Sequence, residues 1–101
     1  MNLKTVTVVR IYLSEAKREL QSLLAKLHDE EKVAGLTVFR GISGFGRTGK
    51  IHSSNLLDLS MDLPIVIEFF DEPEKVENIL EHLGKQIDPG HLLIWSAEMN
   101  G

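Results

Sequence analysis

The sequence has 101 residues, of which 43% are hydrophobic and 26% are charged, which suits one folded domain over residues 1–101 with one hydrophobic core. It has no cysteine, and this excludes a disulfide framework, thiolate metal ligands and a cysteine nucleophile. The net charge of −4 disfavours nucleic acid as a partner. The sequence shows neither a signal peptide nor an apolar run for direct membrane insertion, so we expect a cytoplasmic protein.

The first part of the chain predicts a strand, a helix and a second strand. Residues 5–13 are β-branched and aromatic with no breaker, which predicts the first strand. Ser14 is typical of a helix N-cap, and leucines then recur at the spacing of one helical face. Those leucines are Leu20, Leu23, Leu24 and Leu27. Gly35 is predicted to end this helix as its C′ residue, and residues 36–42 are predicted to form the second strand.

The second part predicts a strand, a helix and a last strand after a polar, glycine-rich connection over residues 43–57. Alternating apolar residues over 58–70 predict the third strand, in which Pro64 suggests a bulge or an edge position. Pro73 follows two acidic residues and predicts a helix start. The buried face of that helix is predicted to carry Val76, Ile79, Leu80, Leu83 and Ile87. Residues 91–98 predict the last strand.

The order of these elements predicts an α+β fold, the ferredoxin-like βαββαβ sandwich, with a four-stranded antiparallel sheet and two helices on one face. A sheet with one solvated face should alternate apolar and polar residues, but several strands carry adjacent apolar residues. They are Val8-Val9, Val66-Ile67, Phe69-Phe70 and the run over 92–95. One chain has no spare element to bury a second face, so we expect self-association. The alternative is an exposed apolar sheet that binds a partner or a ligand.

The candidate site is the glycine-rich segment over residues 40–50, which also holds Arg40, Arg47 and Lys50. Residues 1–50 carry nine Lys or Arg against five Asp or Glu, and residues 51–101 carry two against ten. Glycine-dense backbone beside cations can hold a small anion, because consecutive N–H groups converge there. The alternative is a mobile loop that joins two strands, and we expect mobility over residues 43–57 in the free protein.

Two nucleotide motifs are excluded in this segment. Gly44 to Gly49 match G-x-G-x-x-G, but they follow the second strand and no crossover helix comes after them. A dinucleotide fingerprint requires that helix. A P-loop requires a hydroxyl residue after the lysine, and Ile51 stands there instead.

At these residues the sequence resembles the PII-like superfamily. The resemblance rests on Arg40-Gly41, on the run Gly44-Phe45-Gly46-Arg47 and on the Gly90 turn. More narrowly, residues 10–15, 40–46 and 62–68 resemble an uncharacterised PII-like family, domain of unknown function 190. The resemblance covers essentially the whole chain.

The resemblance implies a signalling homotrimer that binds a small anionic effector, an adenine nucleotide, in clefts between subunits. It also implies that loop 43–57 contacts a membrane transporter or a metabolic enzyme. Carried over by position, the ligand-binding residues of one subunit are Gly41, Ser43, Gly44, Phe45, Gly46 and Arg47, and those of the turn are Gly90 and His91. His91 departs from the lysine typical of PII proteins, so a monophosphate, a cyclic nucleotide or another small anion fits as well as a triphosphate.

The alternative function is a metal-binding trimer of the divalent-cation-tolerance type, which shares this architecture, with His52, His91 and nearby carboxylates as ligands. The histidines lack the i, i+4 pairing of zincin-type sites. Ser53 and Ser54 lie in no nucleophile elbow. We therefore expect a binding protein without catalytic residues, and no cofactor other than the effector.

Overall fold

The computed structural model describes residues 1–14, 19–45, 51–53 and 63–101 of the chain. The elements are β1 (Leu3–Ser14), α1 (Glu19–Ala25), a π-helix (Lys26–Glu30), β2 (Gly35–Arg40), β3 (Ser43–Phe45), β4 (Ile51–Ser53), β5 (Pro64–Asp71), α2 (Pro73–Leu83), a 3₁₀ helix (Gly84–Gln86) and β6 (Leu92–Asn100). Four strands form an antiparallel sheet in the order β2-β5-β1-β6, and β3 pairs with β4. The predicted α+β, ferredoxin-like fold is confirmed, and the β3–β4 hairpin lies within the predicted connection.

The hydrophobic core fills the space between one face of the sheet and the helices. Its buried members are Val9, Ile11, Leu23, Leu27, Ile67, Phe69, Val76, Ile79, Leu83 and Ile87. Fully burying one such aliphatic or aromatic side chain contributes about 1.5–3 kcal/mol. A one-residue slip of β1 or β5 would turn its buried residues to the opposite face, so this core fixes the register. The predicted apolar face of α2 is therefore confirmed for Val76, Ile79 and Leu83, and Leu80 packs at its margin. Ile87 is buried as well, but it lies beyond the end of α2, in extended conformation after the 3₁₀ helix.

The opposite face of the sheet, called the open face below, consists of the alternate residues of the same strands. The strand register places three cross-strand rows on it: Phe39, Val66 and Tyr12; Glu68, Arg10 and Leu93; and Phe70, Val8 and Trp95. Phe39 is 49% exposed and Leu93 is 50% exposed. The apolar pairs seen in the sequence thus place large apolar side chains on both faces, as predicted.

The predicted end of the first helix is wrong. The helix continues through the π-helix to Glu30, and the residue with a positive φ just after it is Lys32, at 51°. Gly35 instead begins β2, opposite Phe70 in the register. A Cβ on Gly35 would lie 2.5 Å from Cε1 of Phe70, so the aromatic ring occupies the space that a side chain would need.

The interpretation of Pro64 as a bulge or edge residue is also wrong. Pro64 begins β5, which is paired on both sides, with β2 and with β1. The register between β5 and β1 runs without interruption from Pro64 to Asp71. The first position of a strand tolerates proline in the interior of a sheet, because few ladder bonds are needed from its nitrogen there. The Pro64 carbonyl accepts the Gly41 N–H at 2.8 Å.

Candidate functional site

The predicted ligand-binding residues that the structure describes lie at one end of the four-stranded sheet, called the site end below. At this end β1 and β2 finish and β5 and β6 begin. Gly41 follows β2 and donates its N–H to Pro64, which pairs with Ser14 of β1. His91 precedes β6, and its carbonyl accepts the Tyr12 N–H at 2.8 Å. The fold thus brings both groups of predicted residues to the same end.

Within one chain, however, the two groups are well separated. The strand order places β5 and β1 between β2 and β6. Neighbouring strands lie about 4.8 Å apart, so Gly41 and His91 are about 14 Å apart across the sheet. That separation is too great for one phosphate group to touch both. A ligand held by both groups through its phosphates would need either an extended shape or groups from two chains.

Pro64 holds the backbone of the glycine-rich segment close to the sheet. A Cβ on Gly41 would lie 2.6 Å from Cγ of Pro64 and 3.4 Å from its carbonyl oxygen. A Cβ on Gly44 would lie 3.3 Å from the same Cγ. Glycine is therefore required at Gly41 by close approach, and tight contact limits Gly44. Ser43 and Phe45 flank Gly44 in β3, and both are exposed.

The remaining predicted ligand residues of this segment, Gly46 and Arg47, lie outside the described residues, as does Lys50. The predicted mobility of residues 43–57 stays a prediction: β3 and β4 are described, and the other residues of this range lie outside the description. Arg40 is described at the end of β2, opposite Ile65, and its side chain is exposed.

The turn before β6 fixes His91 by three hydrogen bonds. Gly90 has φ 84°, a conformation that L side chains rarely adopt. His91 donates its N–H to the carbonyl of Asp88 at 3.1 Å, and its carbonyl accepts the N–H of Tyr12. Its ring Nδ1 lies 3.0 Å from the carbonyl oxygen of Tyr12. A carbonyl can only accept, so Nδ1 carries the proton and the neutral ring presents Nε2 as an acceptor.

A charged cluster lies on the open face next to this turn. Arg10 donates from Nε to Glu68 Oε1 at 3.1 Å, and its guanidinium lies 5.2 Å from the centre of the Trp95 ring. The hydrogen bond to Glu68 is the largest cause that raises the pKa of Arg10, and a hydrogen bond to Tyr12 raises it further. The guanidinium is thus a fixed cation, paired by Glu68 and placed in cation–π distance of Trp95. The sequence reasoning did not single out this cluster, because its members come together only through strand pairing.

The ligands suggested for a metal are only partly described. His52 lies in β4 opposite Gly44, but its side chain is outside the description. His91 uses Nδ1 for the bond to Tyr12. Among the side chains that the structure describes, no group of three or more His, Cys, Asp or Glu is placed to hold a metal ion. No helix in the described ranges combines the length and apolar character needed to cross a membrane.

Comparison with known proteins identifies the family. The model of the family DUF190, described as Uncharacterized ACR, matches residues 6–99. The chain belongs to this family. A relative in Aquifex aeolicus (strain VF5), a UPF0166 protein, is 35% identical over 80 residues, which cover 75% of this chain and 76% of that protein. The resemblance to an uncharacterised PII-like family is confirmed.

Solved structures share the fold of this DUF190 member. CPII from Thiomonas intermedia K12, solved bound to ADP and bicarbonate, has a TM-score of 0.70 and 23% identity, covering 99% of this chain and 93% of that chain. CutA1 from Oryza sativa has a TM-score of 0.60 and 14% identity, covering 96% of this chain and 82% of that chain. The fold is therefore PII-like, and it is shared by both proteins.

Proposed function

We propose that the protein is a PII-like regulator that acts by binding and not by catalysis. It is a homotrimer that holds a small anionic effector, an adenine nucleotide, in the clefts between subunits. Loop 43–57 contacts the target, a membrane transporter or a metabolic enzyme. The cytoplasmic location expected from the sequence stays a prediction.

The observation that carries this proposal is the separation of the two ligand groups at the site end. Gly41 and His91 lie at the same end of the sheet, but about 14 Å apart in one chain. A neighbouring chain that places its His91 turn beside the Gly41 segment of the first would complete one compact site. Ligand sites formed between subunits also link occupancy to the arrangement of the assembly.

The open face supports self-association. Phe39 and Leu93 are half exposed there, and Trp95 is 38% exposed. Removing apolar surface from water contributes about 25 cal/mol per Å². A second copy that covers these side chains therefore stabilises the assembly. The Arg10–Glu68 pair lies among them, and each charge already has its partner within the chain. It can therefore be buried at lower cost than an unpaired charge.

The structural neighbours support the choice of ligand. CPII is described as bound to ADP and bicarbonate, and in a second structure as bound to ADP, AMP and bicarbonate. The fold of CPII is shared by 99% of the present chain. An adenine nucleotide with an anionic phosphate also suits the glycine-rich backbone and the cations that flank it.

Light scattering at micromolar concentration tests the assembly. The expected mass is three times that of the chain. A dimer would keep the burial argument and contradict the trimer, while a monomer would contradict both. Trp95→Glu places a charge on the open face and should dissociate the assembly. Glu77→Gln, on an exposed position of α2, serves as the matched control.

Calorimetric titration with AMP, cyclic AMP, ADP and ATP at low salt tests the ligand. Arg47→Ala should weaken binding about 10- to 100-fold, because a charge-assisted hydrogen bond contributes about 1.5–3 kcal/mol. Lys26→Ala removes a partly exposed cation in the π-helix and should leave affinity unchanged. If no nucleotide binds the wild type, the proposal fails. If Arg47→Ala is neutral, the anion is held elsewhere.

The second candidate function is a metal-binding trimer, and the shared fold with CutA1 favours it. Its ligands would include His52 and His91. Titration with Zn²⁺ and Cu²⁺ separates it from the first candidate. Metal binding that is lost in His52→Ala, together with an absence of nucleotide binding, would support this second function.

A further inference from the structure

The strand order β2-β5-β1-β6 leaves β2 and β6 at the two edges of the four-stranded sheet. We propose that β2 of one chain pairs antiparallel with β6 of the next, so that Phe39 lies opposite Leu93 of the partner subunit. Repeated around a ring of three chains, this pairing leaves neither edge open and joins the two halves of each ligand site. The inference rests on the proposed function, and it specifies which surfaces assemble the trimer.

Neither edge strand carries the residues that usually protect the edge of a sheet. Monomeric proteins interrupt such edges with a bulge or place proline and lysine on them, because an open row of N–H and C=O groups invites pairing. The sequence of β2 is GLTVFR and that of β6 is LLIWSAEMN, so neither contains proline or lysine. The register of each strand with its described neighbour in the sheet is continuous. Both strands therefore present a regular edge to a partner.

Large apolar side chains are exposed at these edges on the core face of the sheet as well as on the open face. Val38 of β2 is 39% exposed and Ile94 of β6 is 51% exposed. Their cross-strand neighbours in the two central strands, Ile67 and Val9, are fully buried on the same face. The core thus covers the central strands and leaves an apolar side chain uncovered at each edge. A further strand beside each edge would cover both.

One register matches the exposed side chains on both faces. β2 runs towards the site end and β6 runs away from it, so two chains with their site ends together pair these strands antiparallel. Residues directly opposite each other in such a pair lie on the same face. With Phe39 opposite Leu93 of the partner subunit, Val38 lies opposite Ile94 of the partner subunit. A shift of one residue would set core-face side chains against open-face ones, and a shift of two would separate both apolar pairs.

The same register completes the ligand site. Gly41 then lies opposite His91 of the partner subunit, so two groups that are about 14 Å apart in one chain come within about 5 Å across the interface. Each chain uses β2 on one side and β6 on the other, and such a head-to-tail contact can close into a ring. Pairing of β2 with β2, or of β6 with β6, would be two-fold, would leave the other edge open and would not join the site.

Disulfide cross-linking of the full chain tests this register, because the sequence contains no cysteine. A disulfide needs Cα atoms about 4.4–6.8 Å apart, which suits residues directly opposite each other, whereas diagonal neighbours are about 7–8 Å apart. The two double variants are Phe39→Cys with Leu93→Cys and Val38→Cys with Ile94→Cys. Adjacent cross-strand pairs alternate between a wide and a narrow spacing, so at least one variant should give covalent trimers on a denaturing gel after mild oxidation. Within one chain the two edges are about 14 Å apart, too far for a disulfide.

The matched control is Phe39→Cys with Trp95→Cys, which moves the partner position by two residues and should remain largely as single chains. Covalent dimers from Phe39→Cys alone would indicate two-fold pairing through β2 and would overturn the inference. A trimer by light scattering in which neither designed pair cross-links would also overturn it and would leave the proposed function intact. A monomeric wild type would remove both.

Hydrogen exchange of wild type provides a second answer should the cysteine variants fail to fold. Successive residues of a strand direct their N–H groups to opposite sides, so within one chain only every second amide of β2 bonds to β5. Pairing with a second chain should protect every amide from Leu36 to Phe39. Fast exchange at alternate residues of β2 in a trimeric assembly would contradict the proposal.

Discussion

The two ends of the four-stranded sheet are held by different kinds of bond. At the end opposite the site, called the anchored end below, β5 ends at Asp71, whose carboxylate is buried. It accepts the N–H of Ala34 at 3.0 Å and the N–H of Glu72 at 2.8 Å. Lys75 lies 2.8 Å from the same carboxylate and also donates to the carbonyl of Lys32 at 2.8 Å. One buried charge therefore joins the start of β2, the end of β5 and the first turn of α2.

The site end uses backbone hydrogen bonds and close contacts for the same purpose. Gly41 is joined to Pro64 through the backbone, and the His91 turn is joined to Tyr12 through the backbone and one imidazole. Substitution in a buried ion pair is costly, because removing one partner leaves the other charge buried and unpaired. Backbone bonds do not depend on a particular side chain. We infer that the anchored end contributes more to stability, so that side chains at the site end can serve the proposed ligand.

The largest effect on stability is expected from Asp71→Ala. It removes the partner of Lys75 and leaves the N–H of Ala34 without its acceptor, at a cost of about 3 kcal/mol. Urea unfolding measures this loss. Nucleotide affinity, measured without denaturant and well below the unfolding temperature, should stay within about twofold of wild type. Glu74→Ala, an exposed position in the same turn of α2, is the control. A loss under about 1 kcal/mol would contradict the role given to this end.

A smaller effect on stability, but a loss of binding, is expected from Gly41→Ala. Its Cβ would lie 2.6 Å from Cγ of Pro64, so the segment must shift away from β5 at a cost of about 1–2 kcal/mol. The shift moves the protein backbone that is proposed to bind the nucleotide, and nucleotide affinity should therefore fall at least about tenfold. Gly44→Ala, whose Cβ would have its nearest contact at 3.3 Å, should reduce both stability and nucleotide affinity by less. Equal affinity in Gly41→Ala and wild type would place the ligand away from this segment.

Local periodicity was enough to predict much of the fold. Val76, Ile79 and Leu83 recur at helical spacing, and they are buried as that spacing predicts. The interior position of Pro64 could not be read in the same way, because strand order depends on pairing between distant segments. Gly35 illustrates a second difficulty. A glycine after a helical pattern is typical of a C′ residue, but here the ring of Phe70 requires it.

The site was predictable as a segment but not as an arrangement. The glycines and cations of the candidate segment stand together in the sequence, and their composition predicts an anion site. The bond from His91 to Tyr12 joins residues 79 positions apart, and the bond from Ala34 to Asp71 joins residues 37 apart. Both follow from strand pairing, which no local pattern specifies. For Asp71 the sequence predicted only a helix start.

Acid should weaken the anchored end before it affects the backbone bonds of the site end. Burial raises the pKa of Asp71, but Lys75 and the N–H groups of Glu72 and Ala34 outweigh it, so its pKa lies below the ordinary value. Its contribution is therefore complete above the unfolded-state pKa of about 3.9 and is lost as pH falls through the lower folded value. Unfolding followed between about pH 5 and 2 should show a steeper decline in wild type than in Asp71→Asn. Parallel curves would contradict this assignment.

The smallest effect is expected from a second ion pair at the anchored end. Lys4 Nζ lies 3.1 Å from Glu72 Oε1, and these side chains are 50% and 63% exposed. In the other pair Lys75 is 41% exposed, but Asp71 is only 8% exposed. Water and salt screen an exposed pair, so a double-mutant cycle with Lys4→Ala and Glu72→Ala should give a coupling below about 0.5 kcal/mol. The same cycle with Asp71→Ala and Lys75→Ala should give several times more, because Asp71 is desolvated. The first coupling should also vanish at high salt while the second persists. If both couplings were equal, the number of charges at this end and not their burial would hold it together, and the contrast with the site end would lose its physical basis.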